Sequence, residues 1–118
     1  MFLQLAHTKT DLFATSKSFA LECYKVTRSF PPDERFAMTQ QIRRAALSVH
    51  LNIAEGCSRK SIAERKRFFE IARGSVIEID TAFDMAVNLE YTSPDKLIVL
   101  GQYLVSTFKQ LSAIINHE

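Results

Sequence analysis

From Leu12 onward the apolar residues recur at Leu12, Phe19, Cys23, Val26 and Phe30, with Phe13, Ala20 and Tyr24 beside them. Steps of three, four and seven mark one face of a helix, because a turn takes 3.6 residues. The spacing predicts a helix over residues 10–28, ended by Pro31-Pro32, since proline lacks the amide donor and restricts the residue before it. A second stripe, Met38, Ile42, Ala45, Ala46, Val49 and Ile53, predicts a helix over 33–55. Gly56 is then placed for the left-handed position that ends many helices. Ser61 with Glu64 three residues on fits a capping box, and the face Phe68, Ala72, Ser75, Ile79, Phe83, Ala86, Leu89 predicts a third helix over 61–90. Ser93-Pro94 supplies an N-cap and a first-position proline for a fourth helix over 94–116, with Leu97, Leu100, Leu104, Phe108, Leu111 and Ile115 as its stripe.

Four amphipathic helices with short connections pack most simply as an antiparallel up-and-down four-helix bundle, so the expected fold is all-α. The 118 residues suit a single domain with one core. Ile42, Val49, Ile53, Phe68, Ala72, Ile79, Leu104 and Phe108 are its expected members. Helices one and four carry stripes broader than one seam, with Phe13, Tyr24, Val99, Tyr103 and Val105 beside the main rows. Such breadth either widens the core contact or meets another subunit. Ala45, Ala46 and Ser48 allow a neighbouring helix to come close, and Gly74 is the expected counterpart, because a mid-helix glycine needs a reason.

Three glycines and three prolines leave little turn chemistry for many short strands. Cys23 and Cys57 stand alone in the sequence, without a CxxC or Cys/His pattern, which implies reduced thiols and neither a zinc site nor a redox motif. MFLQLAHTK lacks the basic region of a signal peptide, and no stretch is expected to supply the roughly 18 apolar residues of a membrane span. A cytoplasmic protein without membrane contact, metal or cofactor is expected.

The net charge is only +2, but it is unevenly spread: residues 57–75 sum to +4 and residues 76–118 to −4. Such a division makes a dipolar surface, suited to an anionic partner or to subunits packing together. The basic part is the cluster Arg59, Lys60, Arg65, Lys66, Arg67 and Arg73, at the turn between helices two and three and the first turns of helix three. Lys66 and Arg73 are seven residues apart and share a face. Phosphate backbones are met by such groups of cations, although a run of charge also serves simply as a solvated face.

Arg43 and Arg44 interrupt the run QQIRRAALSVHLNIAEG, otherwise poor in charge. Helical spacing sets them on either flank of the buried stripe, where their stems cover the core edge. They are expected either to pair with acids such as Glu78, Asp80 and Asp84, or with another subunit's acids, or to contact a ligand. Glu55 sits at the negative end of the second helix's dipole and calls for a cation, Arg59 or Arg67. Catalytic patterns are missing from the sequence: His7, His50 and His117 belong to no Glu-x-x-His pair, and Ser48 and His50, two residues apart, do not share a face. The protein is expected not to be an enzyme.

The run FPPDERFAMTQQIRRAALSVHLNIAEGCSRKS, continued by RFFEIARGSVIEIDTAFDMAVNL, resembles the four-helix-bundle family of proteins encoded by intervening sequences in bacterial 23S ribosomal RNA genes. The accessory variability protein of diversity-generating retroelements resembles the same family. The strings QIRRAA, NIAEG and FxxIARGS carry the likeness, and His50-Leu51 departs from the small or proline-bearing pair common there. The resemblance implies a ring-shaped homopentamer with a basic surface, associated in the retroelement branch with nucleic acid and a reverse transcriptase. Within it, Arg43 and Arg44 would serve assembly, nucleic-acid contact or both. Two functions remain open: an oligomer that binds RNA or DNA, with structured RNA or an RNA–protein complex expected, and an interaction scaffold whose basic edge meets an acidic protein.

Overall fold

The computed structural model describes residues 1–117. Helix α1 covers Asp11–Thr27, α2 Met38–Ser58, α3 Ile62–Asn88 and α4 Ile98–His117, with 3-10 turns at Ala6–Lys9, Pro32–Glu34 and Pro94–Leu97. Each helix packs against its neighbours in order, and α4 returns to α1, so the four form a closed up-and-down bundle. No strand occurs among the described residues. Thr10 and Ser61 start their helices by side-chain capping, their hydroxyls accepting from the amides of Phe13 (3.2 Å) and Glu64 (3.1 Å).

Three helical boundaries differ from expectation. Helix α2 begins at Met38 rather than residue 33, because Pro32–Glu34 closes a separate turn and Ala37 leaves helical geometry at φ −124° and ψ −105°. Glu34 then reaches forward, and its Oε2 accepts from the amide of Met38 at 2.9 Å. At the other end α2 runs through Gly56 to Ser58, and no glycine has a positive φ. Gly56 is therefore not a terminating residue. A Cβ there would lie 2.7 Å from the ring of Phe69, so the glycine is required by the approach of α3. Before α4, Pro94–Leu97 forms a 3-10 turn, and Ser93 precedes it without a side-chain cap.

The buried row of α3 is Phe69, Ala72, Val76, Ile79, Phe83 and Ala86, an alternation of threes and fours. The expected stripe ran through Phe68, Ser75 and Leu89, each displaced by one or more positions from this row; Phe68 and Ser75 are half-buried and Leu89 is exposed. Phe69 won because Gly56 leaves room for its ring. Phe108 likewise packs half-buried against the core, while Ile42, Val49, Ile53, Ala72, Ile79 and Leu104 are buried as expected. Gly74 has nothing within 4 Å of where its Cβ would be. It is no partner for close packing.

Each of the four helix–helix seams also carries a polar contact in the half of the bundle nearer the chain ends. Ser16 Oγ lies 2.7 Å from Nδ1 of His50 between α1 and α2, and Ser75 donates to Ser48 at 3.1 Å between α2 and α3. Arg73 donates to Ser112 between α3 and α4 (3.4 Å), and Gln110 to Thr15 between α4 and α1 (3.2 Å). These directional contacts fix the axial register, which apolar burial alone does not.

Helix α4 corrects one expectation from the sequence. Residues Pro94–His117 contain an 18-residue window with mean hydropathy 1.3, long and apolar enough to cross a membrane by length and composition, and 28% of that window is buried. Leu100, Leu104, Thr107, Leu111 and Ile115 make its inward row. Ile98, Val99 and Val105 are left exposed.

If Gly56 is a packing residue, Gly56→Ala should overpack the Phe69 ring by more than the roughly 1 kcal/mol that alanine gains in a helix, for a net loss of up to about 2 kcal/mol. Gly74→Ala, facing open space, should gain about 0.5–1 kcal/mol. Urea unfolding of both variants checks this, and equal shifts would refute the assignment. Phe69→Ala should cost about 3–5 kcal/mol, and Phe68→Ala clearly less. For His50, burial first and nearby Lys17 second push the imidazole below its ordinary value of 6.5. The neutral form is thus favoured on folding, so its contribution is complete above pH 6.5 and is lost as pH falls through the lower folded value. The stability difference between the native chain and His50→Gln should shrink on acidification from pH 6.5; a difference that does not change with pH would contradict it.

Candidate nucleic-acid interface

The α2–α3 connection takes only residues 59–61, so the end of one helix and the start of the next lie side by side. The last carbonyls of α2 need donors, and Arg65 supplies them: its Nη1 donates to the carbonyls of Gly56 (3.4 Å) and Cys57 (3.2 Å). Its guanidinium also lies over the Phe69 ring, 5.5 Å from the centroid. Arg65 is thereby drawn into the fold.

Arg59 answers Glu55 with a 2.9 Å ion pair and rests over Phe68 at 5.1 Å. Of the two cations expected for Glu55, Arg59 is the one that reaches it. This also explains Phe68: half-buried on the α2 side of α3, its ring supports an arginine rather than filling the core. Arg73 turns the other way, to Ser112 on α4. Lys66, seven residues earlier, shares that flank by helical spacing. Arg67 and Lys60 are exposed.

Five of the six cations, Arg59 to Arg67, thus gather at one end of the bundle over several flanks, and Arg73 lies about 16 Å along α3 from its start, near its middle. Lys60, Lys66 and Arg67 make no hydrogen bond or ion pair among the described residues. At this end their charge stays available to an outside anion.

Arg43 and Arg44 part company. Arg43 Nε donates to Thr27 Oγ1 at 2.9 Å, its Nη2 to the Tyr24 carbonyl at 3.3 Å, and the guanidinium covers the Tyr24 ring at 5.0 Å. Its partners are neutral groups on α1, not the expected acids; Glu78 accepts instead from Gln41. A tyrosine and a threonine three residues apart on α1 were the available signal, offering a ring face and a hydroxyl on one flank. Arg44 is exposed and makes no such contact among the described residues. Fifteen residues of helical rise separate it from Arg59, about 22 Å, so Arg44 stands apart from the basic end.

The Ser16–His50 contact was also invisible in the sequence, since 34 positions separate the two. Ser16 is fully buried, and its Oγ lies within hydrogen-bond distance of both the Phe13 carbonyl (3.0 Å) and Nδ1 of His50 (2.7 Å). Phe13 stacks on the imidazole with centroids 4.5 Å apart. The arrangement packs α1 on α2 and presents no accessible hydroxyl. Cys23 is buried, and burial, with Glu22 adding to it, pushes its thiol up to about 12, so it stays protonated. No group of three His, Cys, Asp or Glu side chains fit to hold a metal occurs among the described residues.

No match is found among curated proteins. Among solved structures, a protein of unknown function from the S23 ribosomal protein family of Bacteroides thetaiotaomicron superposes with a TM-score of 0.78, over 88% of this chain and 97% of that one, at 23% identity. At that identity the likeness carries the fold. The family described as 23S rRNA-intervening sequence protein matches residues 8–113, a span that takes in α1, α2 and α3 whole, most of α4, and the turn where Gly56, Arg65 and Phe69 meet. The chain belongs to the 23S rRNA-intervening sequence protein family.

Proposed function

We propose that the protein is a non-enzymatic, self-assembling helical bundle of the cytoplasm that binds structured RNA, alone or within an RNA–protein complex, through the end formed by the α2–α3 turn. The observation that carries this reading is the set Lys60, Lys66 and Arg67. These three cations sit within eight positions of one another, around Glu64, and none of them forms an ion pair among the described residues. An unneutralised group of this kind attracts a phosphate backbone and keeps its counterions until one arrives. Arg73 adds charge further along α3, whereas Arg59 is answered by Glu55 and Arg65 and Arg43 hold helices together.

Assembly strengthens the same reading. Exposed Ile77, Ile98, Val99 and Val105 leave apolar surface on α3 and α4 for another subunit. A homopentamer, implied by the family resemblance, would repeat the basic end five times around a ring. Individually weak phosphate pairs then act together through multivalency.

Titrating salt against binding of a structured RNA tests the proposal. Log affinity should fall linearly with log salt, by roughly 0.7–0.9 for each phosphate neutralised. Lys60→Glu with Lys66→Glu should abolish binding while helicity and assembled mass stay unchanged. Binding that survives the double reversal would refute the basic end as the RNA site, and capture of an acidic protein by that end in place of RNA would favour the scaffold. As the contrast, Arg43→Ala should lower stability by about 1–3 kcal/mol, and Arg44→Ala should stay within about 0.5 kcal/mol.

A further inference from the structure

Two apolar surfaces lie on opposite sides of the bundle, and neither is covered within the subunit. On the α3–α4 side runs an open groove of about 400 Å³, floored by Val76, Leu104 and Phe108, edged by Ile77 and Val105, with Lys109 beside Phe108 and Asp80 on the α3 side. It continues past Phe83 and Leu100, with Asp80 and Asp84 along its length. On the opposite side, the turn Ala6–Lys9 packs on α1 and α2. Ahead of that turn, residues 1–5 form neither helix nor strand and stand out from the bundle, with Met1 99%, Phe2 87%, Leu3 67% and Leu5 44% exposed.

The base of the arm and the groove belong to different helix pairs: Ala6–Lys9 packs on α1 and α2, and the groove lies between α3 and α4. Five residues of extended chain reach at most about 17 Å. A second copy presents the same groove to so short an arm directly.

We infer that residues 1–5 of one subunit dock in the α3–α4 groove of a second copy. Phe2, Leu3 and Leu5 meet the apolar floor between Val76 and Phe108, and Lys9, which follows the arm, comes toward the acidic side formed by Asp80 and Asp84. The donor and acceptor surfaces differ, so the contact is head-to-tail, and repeated contacts of this kind close a ring when the rotation allows. The inference rests on the self-assembly proposed above and names the two surfaces that would carry it.

Disulfide trapping tests the pairing. Of the native cysteines, Cys23 is buried and Cys57 half-buried, and each single variant alone reports any bond they form. In a chain carrying both Phe2→Cys and Val105→Cys, oxidation should give a ladder of linked subunits. An equal mixture of the two single variants should give linked dimers holding one chain of each, and no longer species. Deleting residues 2–5 should weaken assembly at least about tenfold in dissociation constant, as expected when several large apolar side chains lose their burial, with helicity kept. A fast-migrating monomer closed on itself, or no linkage beyond that of the single variants, overturns the inference. So does a deletion variant that assembles as tightly as the full chain, although assembly itself would then stand. A full chain that sediments as a monomer at every concentration overturns both.

Discussion

The contact between Gly56 and Phe69 decides more of this molecule than any other. With hydrogen in place of a methyl group on the last full turn of α2, the Phe69 ring can lie against the helix backbone. That rotation of α3 sends Ala72, Val76, Ile79 and Phe83 inward and turns Phe68 toward Arg59. It also sets Arg65 over the same ring, within reach of the Gly56 and Cys57 carbonyls at the end of α2. One missing side chain thereby fixes the angle of a 27-residue helix and takes one arginine out of the surface charge.

Much of the fold was legible in the sequence because it depends on periodicity and punctuation. Four stripes, two prolines after α1 and the serine before α3 need only local geometry to be read. What escaped was the choice between Phe68 and Phe69, adjacent aromatic residues that fit the same average period. Only the partner helix distinguishes them, through space that Gly56 leaves open. The same glycine was misread as a terminator, since a glycine near the end of an apolar run fits both roles until the neighbouring ring is known.

The candidate site was legible as a group and not as individuals. Sequence position brought six cations together around residues 59–73, and the fold sets Arg59 to Arg67 at one end with Arg73 near the middle of α3. Their division between binding and structure depends on partners in other helices: Ser112, 39 positions on, for Arg73, and the part-buried carbonyls at the end of α2 for Arg65. Arg43 shows the limit most plainly. Its neighbours Tyr24 and Thr27 are neutral, so no count of opposite charges would have found them.

At the other end of the bundle, Glu34 joins segments that the chain keeps apart. One of its oxygens caps α2 at Met38 and the other accepts from the hydroxyl of Tyr91, 57 positions away. Closing a loop of that length costs entropy that grows with the logarithm of its size, and a single part-buried hydrogen bond returns only about 1 kcal/mol. The Tyr91 contact is therefore too weak to gather the chain and follows the packing of α2 on α3, the two helices that lie between Glu34 and Tyr91. It acts as a latch on a finished assembly, holding two turns in step after the core has done the work of bringing them near.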